Sequence, residues 1–301
     1  MIMAAIVSLT LAGQAAPDKD ADSAFRQLKR YHASFQDVSF LHIVSKNREE
    51  GQVDASARWH RSRGRYTYRS DGASLLDNQS LALGDEPVYR EIRSLLKHRL
   101  EILDATPGAG PPIRERVPGS GPGGPGSLAS PDSPERFFWL WYLATLGDPA
   151  EHKATLEGFE DIDGHRCVKI RMLKQPQALL RGWIGPLPFV RMWLDPLRDG
   201  YPIRVEWLSG DAVETRVEIL SMERVELGEG RRIWLPVEGR TSSYIKIGMD
   251  NSLTLSARPT YVEKHKILIN SVKIDQHPGD DYFSVKTRAL ADGDGTAPHA
   301  R

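Results

Sequence analysis

The sequence predicts an α+β chain dominated by antiparallel β-sheet, on three observations. Runs in the second half alternate apolar and polar residues with a period of two: Val168, Ile170 and Met172 against Cys167, Lys169 and Arg171; Ile203, Val205 and Trp207 against Arg204 and Glu206; Val213, Thr215, Val217 and Ile219 against Glu214, Arg216 and Glu218. Such strands have one face in a core and one in water. Turn residues separate the runs, at Asp163-Gly164, Ser209-Gly210 and Gly228-Glu229-Gly230, as hairpins require. Helical spacing is confined to a few segments.

Residues 1–16 carry no charge and include the short apolar run Ile2 to Leu11, followed by Gly13-Gln14-Ala15, a pattern that predicts a signal peptide and an exported protein. The run is too short to span a bilayer. Length leaves one domain or two open, and a loose polar tail is expected over 289–301. The first element is a helix. Asp18, Asp20 and Asp22 precede Phe25, Leu28, Tyr31 and Phe35 at near-helical spacing, and Lys29, Arg30 and His32 follow at the negative end. Extended runs come next, at 38–46, 53–60 and 65–69, with Asp71-Gly72 as a turn. Asp85 and Pro87 can then open an amphipathic helix, because Val88, Ile92, Leu95, Leu96, Leu100 and Leu103 recur at spacings of three and four.

Residues 106–131 are rich in Gly and Pro and form an expected flexible insertion. They are no phosphate loop, since no Gly-Lys-Ser/Thr closes the run. Ser133 and Pro134 open a further predicted helix through Phe137, Phe138, Trp141 and Leu143 that is apolar around nearly its whole circumference. It must lie beneath several other elements or present an aromatic face to a ligand cavity. The stretch from Ala178 to Phe189, with Leu179, Leu180 and Trp183, combines Gly and Pro with large apolar side chains. It is either a hydrophobic lid or a loop folded back on its own core. Strands then continue through Ile233, Leu235 and Val237, near 252–255, and over 261–274, leading to Tyr282-Phe283-Ser284-Val285.

Composition removes several classes of function. Forty basic residues balance forty acidic ones, so no net field favours nucleic acid. The single cysteine, Cys167, excludes an internal disulfide and is expected as a buried thiol. Nine scattered histidines make no zinc-hydrolase motif, so no metal or cofactor is expected. Asp275 to Asp281 has the composition of a solvated surface turn, and Asp292-Gly293-Asp294-Gly295 lacks the closing Glu of a calcium loop. No Gly-x-Ser-x-Gly occurs, and Glu160, Asp161 and Asp163 beside a hairpin turn are expected to be solvated. No catalytic residue is assigned.

Several segments together resemble the LolA-like lipoprotein-carrier superfamily: the leader, the helix ending Tyr31-His32-Ala33-Ser34-Phe35, Val190-Arg191-Met192-Trp193-Leu194-Asp195-Pro196, Tyr201-Pro202-Ile203-Arg204-Val205-Glu206, Trp234-Leu235-Pro236-Val237-Glu238-Gly239 and Asp281-Tyr282-Phe283-Ser284-Val285. The resemblance runs from about residue 21 to 286 and implies a single domain over 17–288, a strongly curved, incomplete β-barrel, a half-barrel enclosing or lidded by a few helices. It further implies a periplasmic carrier or sensor that binds lipoprotein acyl chains or another lipid without catalysis. Phe137, Phe138, Trp141, Leu179, Leu180, Trp183 and Trp193 are the expected cavity or lid contacts. The implied partners are a lipid or lipidated protein and an inner- or outer-membrane protein. The alternative is an envelope interaction or regulatory module that docks through the apolar loop.

Overall fold

The computed structural model describes residues 21–47, 61–71, 73–81, 87–96, 99–105, 113–116, 152–173, 188–228, 230–247 and 253–285, and the architecture is that of these residues. Helix α1 spans Ala21–His32. The strands are β1 Asp37–Asn47, β2 Arg61–Arg69, β3 Ser74–Leu81, β4 Pro87–Leu96, β5 Arg99–Ala105, β6 Ile113–Arg116, β7 Thr155–Ile162, β8 His165–Leu173, β9 Pro188–Asp195, β10 Tyr201–Ser209, β11 Ala212–Gly228, β12 Arg231–Ser243, β13 Ile245–Ile247, β14 Leu253–Leu255 and β15 Tyr261–Ile274.

Among the described residues thirteen strands form one antiparallel sheet in the order β6-β5-β4-β3-β2-β1-β15-β12-β11-β10-β9-β8-β7. Its outer strands, β6 and β7, do not pair with each other, so the curved sheet stays open as a half-barrel. Two meanders of sequential strands, β1 to β6 and β7 to β12, meet through β15, which pairs with β1 on one side and β12 on the other. This seam is irregular. Between the pairs Ser39↔Lys273 and Leu41↔Leu268, the four residues Ile269, Asn270, Ser271 and Val272 oppose the single residue Phe40. Ser271 Oγ fills the gap by accepting from the Leu41 N–H at 2.7 Å.

Local chemistry accounts for the turns. Asp163 and Gly164 both have positive φ, 49° and 81°, as the tight β7–β8 hairpin demands. Asp195 accepts from the Leu197 N–H at 2.9 Å and so starts the short 3-10 turn Pro196–Arg198 that leads into β10. A Cβ at Gly200, just after it, would lie 2.9 Å from Gln27 Cβ, so glycine lets this turn seat against α1. At Gly64 a Cβ would meet the Asp77 carbonyl oxygen at 2.6 Å, marking a close approach of β2 to β3.

The amphipathic helix expected from Asp85 to Leu103 is instead the hairpin pair β4 and β5, in register from Leu96↔Arg99 to Arg90↔Ala105. Residues i and i+4 share a face in a strand as well as in a helix, so the spacing of Val88, Ile92 and Leu96 fits both. Pairing of β4 with β3 decides the matter. Within the stretch expected to be irregular, Ile113–Arg116 is also strand, paired with β5. The run expected at 53–60, the apolar helix after Pro134, the leader and the tail lie outside the described residues.

The main core joins α1 (Leu28, Tyr31) to one side of the sheet, including Phe40, Tyr66, Ile170, Met192 and Val205. A smaller core, Ala73, Leu75, Ile92, Phe283 and Val285, covers the other side of β3 and β4. It is pinned by the segment after β15. Buried Asp37 accepts from the N–H groups of Gln276 and His277 at 3.0 and 2.8 Å, and Ser94 Oγ donates to the Phe283 carbonyl. The loop expected to be merely solvated therefore keeps its side chains partly exposed while its backbone is clamped.

Candidate ligand-binding face

Alternation sorts the strands into two faces. On β8, β9, β10 and β11 the paired residues Val168↔Leu194, Ile170↔Met192, Met172↔Val190, Val205↔Met192 and Val217↔Val205 share one side, here the inner face. Ile170, Met172, Val190, Met192 and Val205 are all fully buried. Helix α1 lies against this face. The Tyr31 ring meets Tyr201 edge-on at 5.0 Å and Phe35 at 5.9 Å, and its hydroxyl donates to the Trp234 carbonyl at 2.8 Å. Burial pushes the Tyr31 and Tyr201 phenols well above their ordinary range, so both stay neutral. A cavity of about 360 Å³ opens where the end of α1 meets the β9–β10 turn and β12, lined by Gln27, Arg30, Tyr31, Ser34, Arg232 and Ile233 among others.

Towards the seam the inner face becomes polar. His42 of β1 and His265 of β15 stack with ring centres 5.3 Å apart and planes 14° apart, with His42 Nε2 3.2 Å from His265 Nδ1. His265 Nε2 lies 2.9 Å from Thr241 Oγ1 of β12, and the Tyr261 hydroxyl donates to Glu263 at 2.5 Å. Burial, and then the neighbouring His265, push the His42 pKa well below the ordinary 6.5. Among the described residues no group of three or more His, Cys, Asp and Glu is placed to hold a metal.

The outer face of the same strands is charged and self-paired. Arg191 reaches Glu157 at 2.6 Å and Glu206 at 3.3 Å, and Arg216 reaches Glu206 at 2.7 Å. Arg204 reaches Glu160 and Glu218 at 3.6 and 3.3 Å, while Lys169 reaches Glu160 at 3.5 Å. Trp193, expected from the sequence as a cavity or lid contact, stands in this lattice. Its register partner is Lys169, its indole N–H donates to Glu160 at 2.9 Å, and Lys169 and Arg204 sit over its ring at 5.2 and 5.4 Å. That hydrogen bond, aided by the two cations, holds the Glu160 carboxyl below its usual range. Trp193 thus faces away from Met192 and Leu194, because successive strand residues point to opposite sides.

Phe137, Phe138, Trp141, Leu179, Leu180 and Trp183 lie outside the described residues. Cys167 is buried, as its strand-like setting predicted, and burial pushes its thiol up to about 12. Sequence reasoning passed over the His42–His265 pair. Its only local trace is that His42 falls in phase with apolar Phe40 and Val44, and His265 with Ile267.

No protein-family model matches the chain, and no curated protein matches it in sequence. Solved structures do match. A DUF1329 family protein from Desulfovibrio piger superposes with a TM-score of 0.57 at 14% identity, over 89% of this chain and 99% of that one. A LolA superfamily protein from Nitrosomonas europaea superposes with a TM-score of 0.51 at 11% identity, over 88% of this chain and 98% of that one. The open, strongly curved half-barrel of this chain is the fold it shares with that LolA superfamily protein.

Proposed function

We propose that the chain is an exported, periplasmic carrier or sensor that holds a hydrophobic ligand, lipoprotein acyl chains or another lipid, against the inner face of its half-barrel without chemical transformation. The observation that carries this reading is the contrast in lining. From β8 to β10 the inner face is lined by buried apolar side chains, Ile170, Met172, Val190, Met192 and Val205, on a sheet that is not closed. Such a surface recognises hydrocarbon by area. At about 0.8 kcal/mol per buried methylene, a long acyl chain would gain on the order of 10 kcal/mol before ordering costs. Ile170, Met192 and Val205 are already buried in this conformation, so occupancy requires their cover to shift, and ligand and conformation are linked. The reading extends the cover to Phe137, Phe138, Trp141, Leu179, Leu180 and Trp183 from sequence alone. The fold of the LolA superfamily protein supports the same reading.

The test is mass spectrometry of the lipid fraction that copurifies from a native, membrane-containing extract. Stoichiometric acylated species are expected. Protein that emerges without lipid, and takes up none when incubated with vesicles of phosphatidylethanolamine and phosphatidylglycerol, would overturn the proposal.

A further inference from the structure

The seam between the two meanders carries a feature that lipid binding does not use. His42 and His265 are both buried, they belong to the two strands that join the halves of the sheet, and they touch at 3.2 Å next to the Ile269–Val272 bulge. Their hydrogen bonds form a chain, His42 to His265 to Thr241, that can run in either direction while both rings are neutral. One added proton places a charge in a desolvated joint. A second sets N–H against N–H across the 3.2 Å contact.

We propose that the β1–β15 seam is an acid-sensitive joint: protonation of the His42–His265 pair loosens the ladder beside the bulge and lets the two halves of the half-barrel move apart. The surroundings favour neutrality. On β1 the Phe40 ring lies 6.5 Å from His42, and on β2 the residue opposite His42 is Gly64, which brings no charge. Thr241 on β12 is uncharged, while β15 contributes Glu263, 3.7 Å from His265 Nε2, and Tyr261, bonded to that carboxylate. Lys46 is the backbone partner of Glu263 on β1. Glu263 lies on the His265 side of the pair, whereas His42 is disfavoured in its charged form by burial and by the ring of His265 3.2 Å away, which makes His42 the sensitive member.

The sign follows from linkage. A histidine whose folded pKa lies below its unfolded value of about 6.5 binds its proton more readily when released, so the joint is fully stable above that pH and weakens as pH falls through it. The bulge makes this the place to yield, because four residues of β15 there lack regular partners on β1.

Amide hydrogen exchange of the whole chain at pH 7.5 and 4.5, corrected for the intrinsic rate, tests the proposal. Amides of His42 to Lys46 and Glu263 to Ile267 are expected to lose at least tenfold in protection at the lower pH while those of β8 and β9 hold theirs. His42→Phe, which keeps a ring beside Phe40, is expected to flatten that dependence. Seam protection that does not change with pH, or that falls in step with β8 and β9, would overturn the idea. Should the variant not fold, the ring-proton NMR titration of the wild-type chain decides: His42 titrating at or above 6.5 contradicts the proposal, and titration well below it supports it.

Discussion

The two faces of strands β8 to β11 differ in kind, one apolar and buried and one charged, although their residues alternate along the same backbone. Val205 and Glu206 are neighbours on β10; one packs against Met192 and Val217, and the other is clasped by Arg191 and Arg216. The inner face is held by apolar contact that gains by losing water. The outer face has satisfied its charges internally, so it holds its strands in register and leaves little unpaired charge to attract a ligand. Apolar packing and charge-paired strand registration thus fall on opposite sides of one sheet.

Substitutions can break this comparison, and their expected effects fall in a definite order. Ile170→Ala, which empties a fully buried inner position, should lower unfolding stability by about 2–5 kcal/mol in a urea titration. Glu206→Gln should cost less, about 1–3 kcal/mol, because the charge is lost but the amide can still accept from the half-exposed Arg191 and Arg216. Arg232→Ala, removing one half of the exposed pair with Glu226, should change stability by no more than about 1 kcal/mol. Equal costs for Ile170→Ala and Glu206→Gln would mean that the outer lattice contributes as much to the fold as the inner packing. The smallest effect is a null one: with its thiol pushed up to about 12 and buried, Cys167 should not react with a disulfide reagent at pH 8 until the chain is unfolded.

The parts of the fold that sequence revealed are those with one wet face. On β8, β10 and β11 charged residues alternate with apolar ones over part of each strand, at Lys169 and Arg171, at Arg204 and Glu206, and at Glu214, Arg216 and Glu218, so these strands and their facing follow from residue order. On β4 the cue vanished. Its outer face is covered by Phe283 and Val285, Ile92 and Ser94 are both buried, and spacings of four are common to helix and strand. For Trp193 the difficulty was facing. β9 carries large apolar residues on both sides, Phe189 and Trp193 opposite Val190, Met192 and Leu194, and its pairing with Lys169 and Arg204 shows which side meets charge. The histidine pair joins residues 223 positions apart through the seam, a relation that no local pattern encodes.

The proposed ligand site is the inner face of the half-barrel. Titrating an environment-sensitive fluorescent fatty acid into the wild-type chain, Val205→Met and Glu206→Gln, each verified as folded by circular dichroism, addresses it directly. Saturable binding is predicted, weakened at least severalfold by Val205→Met and left unchanged by Glu206→Gln. A wild-type chain that gives no saturable signal, or two neighbouring substitutions that perturb binding equally, would contradict it.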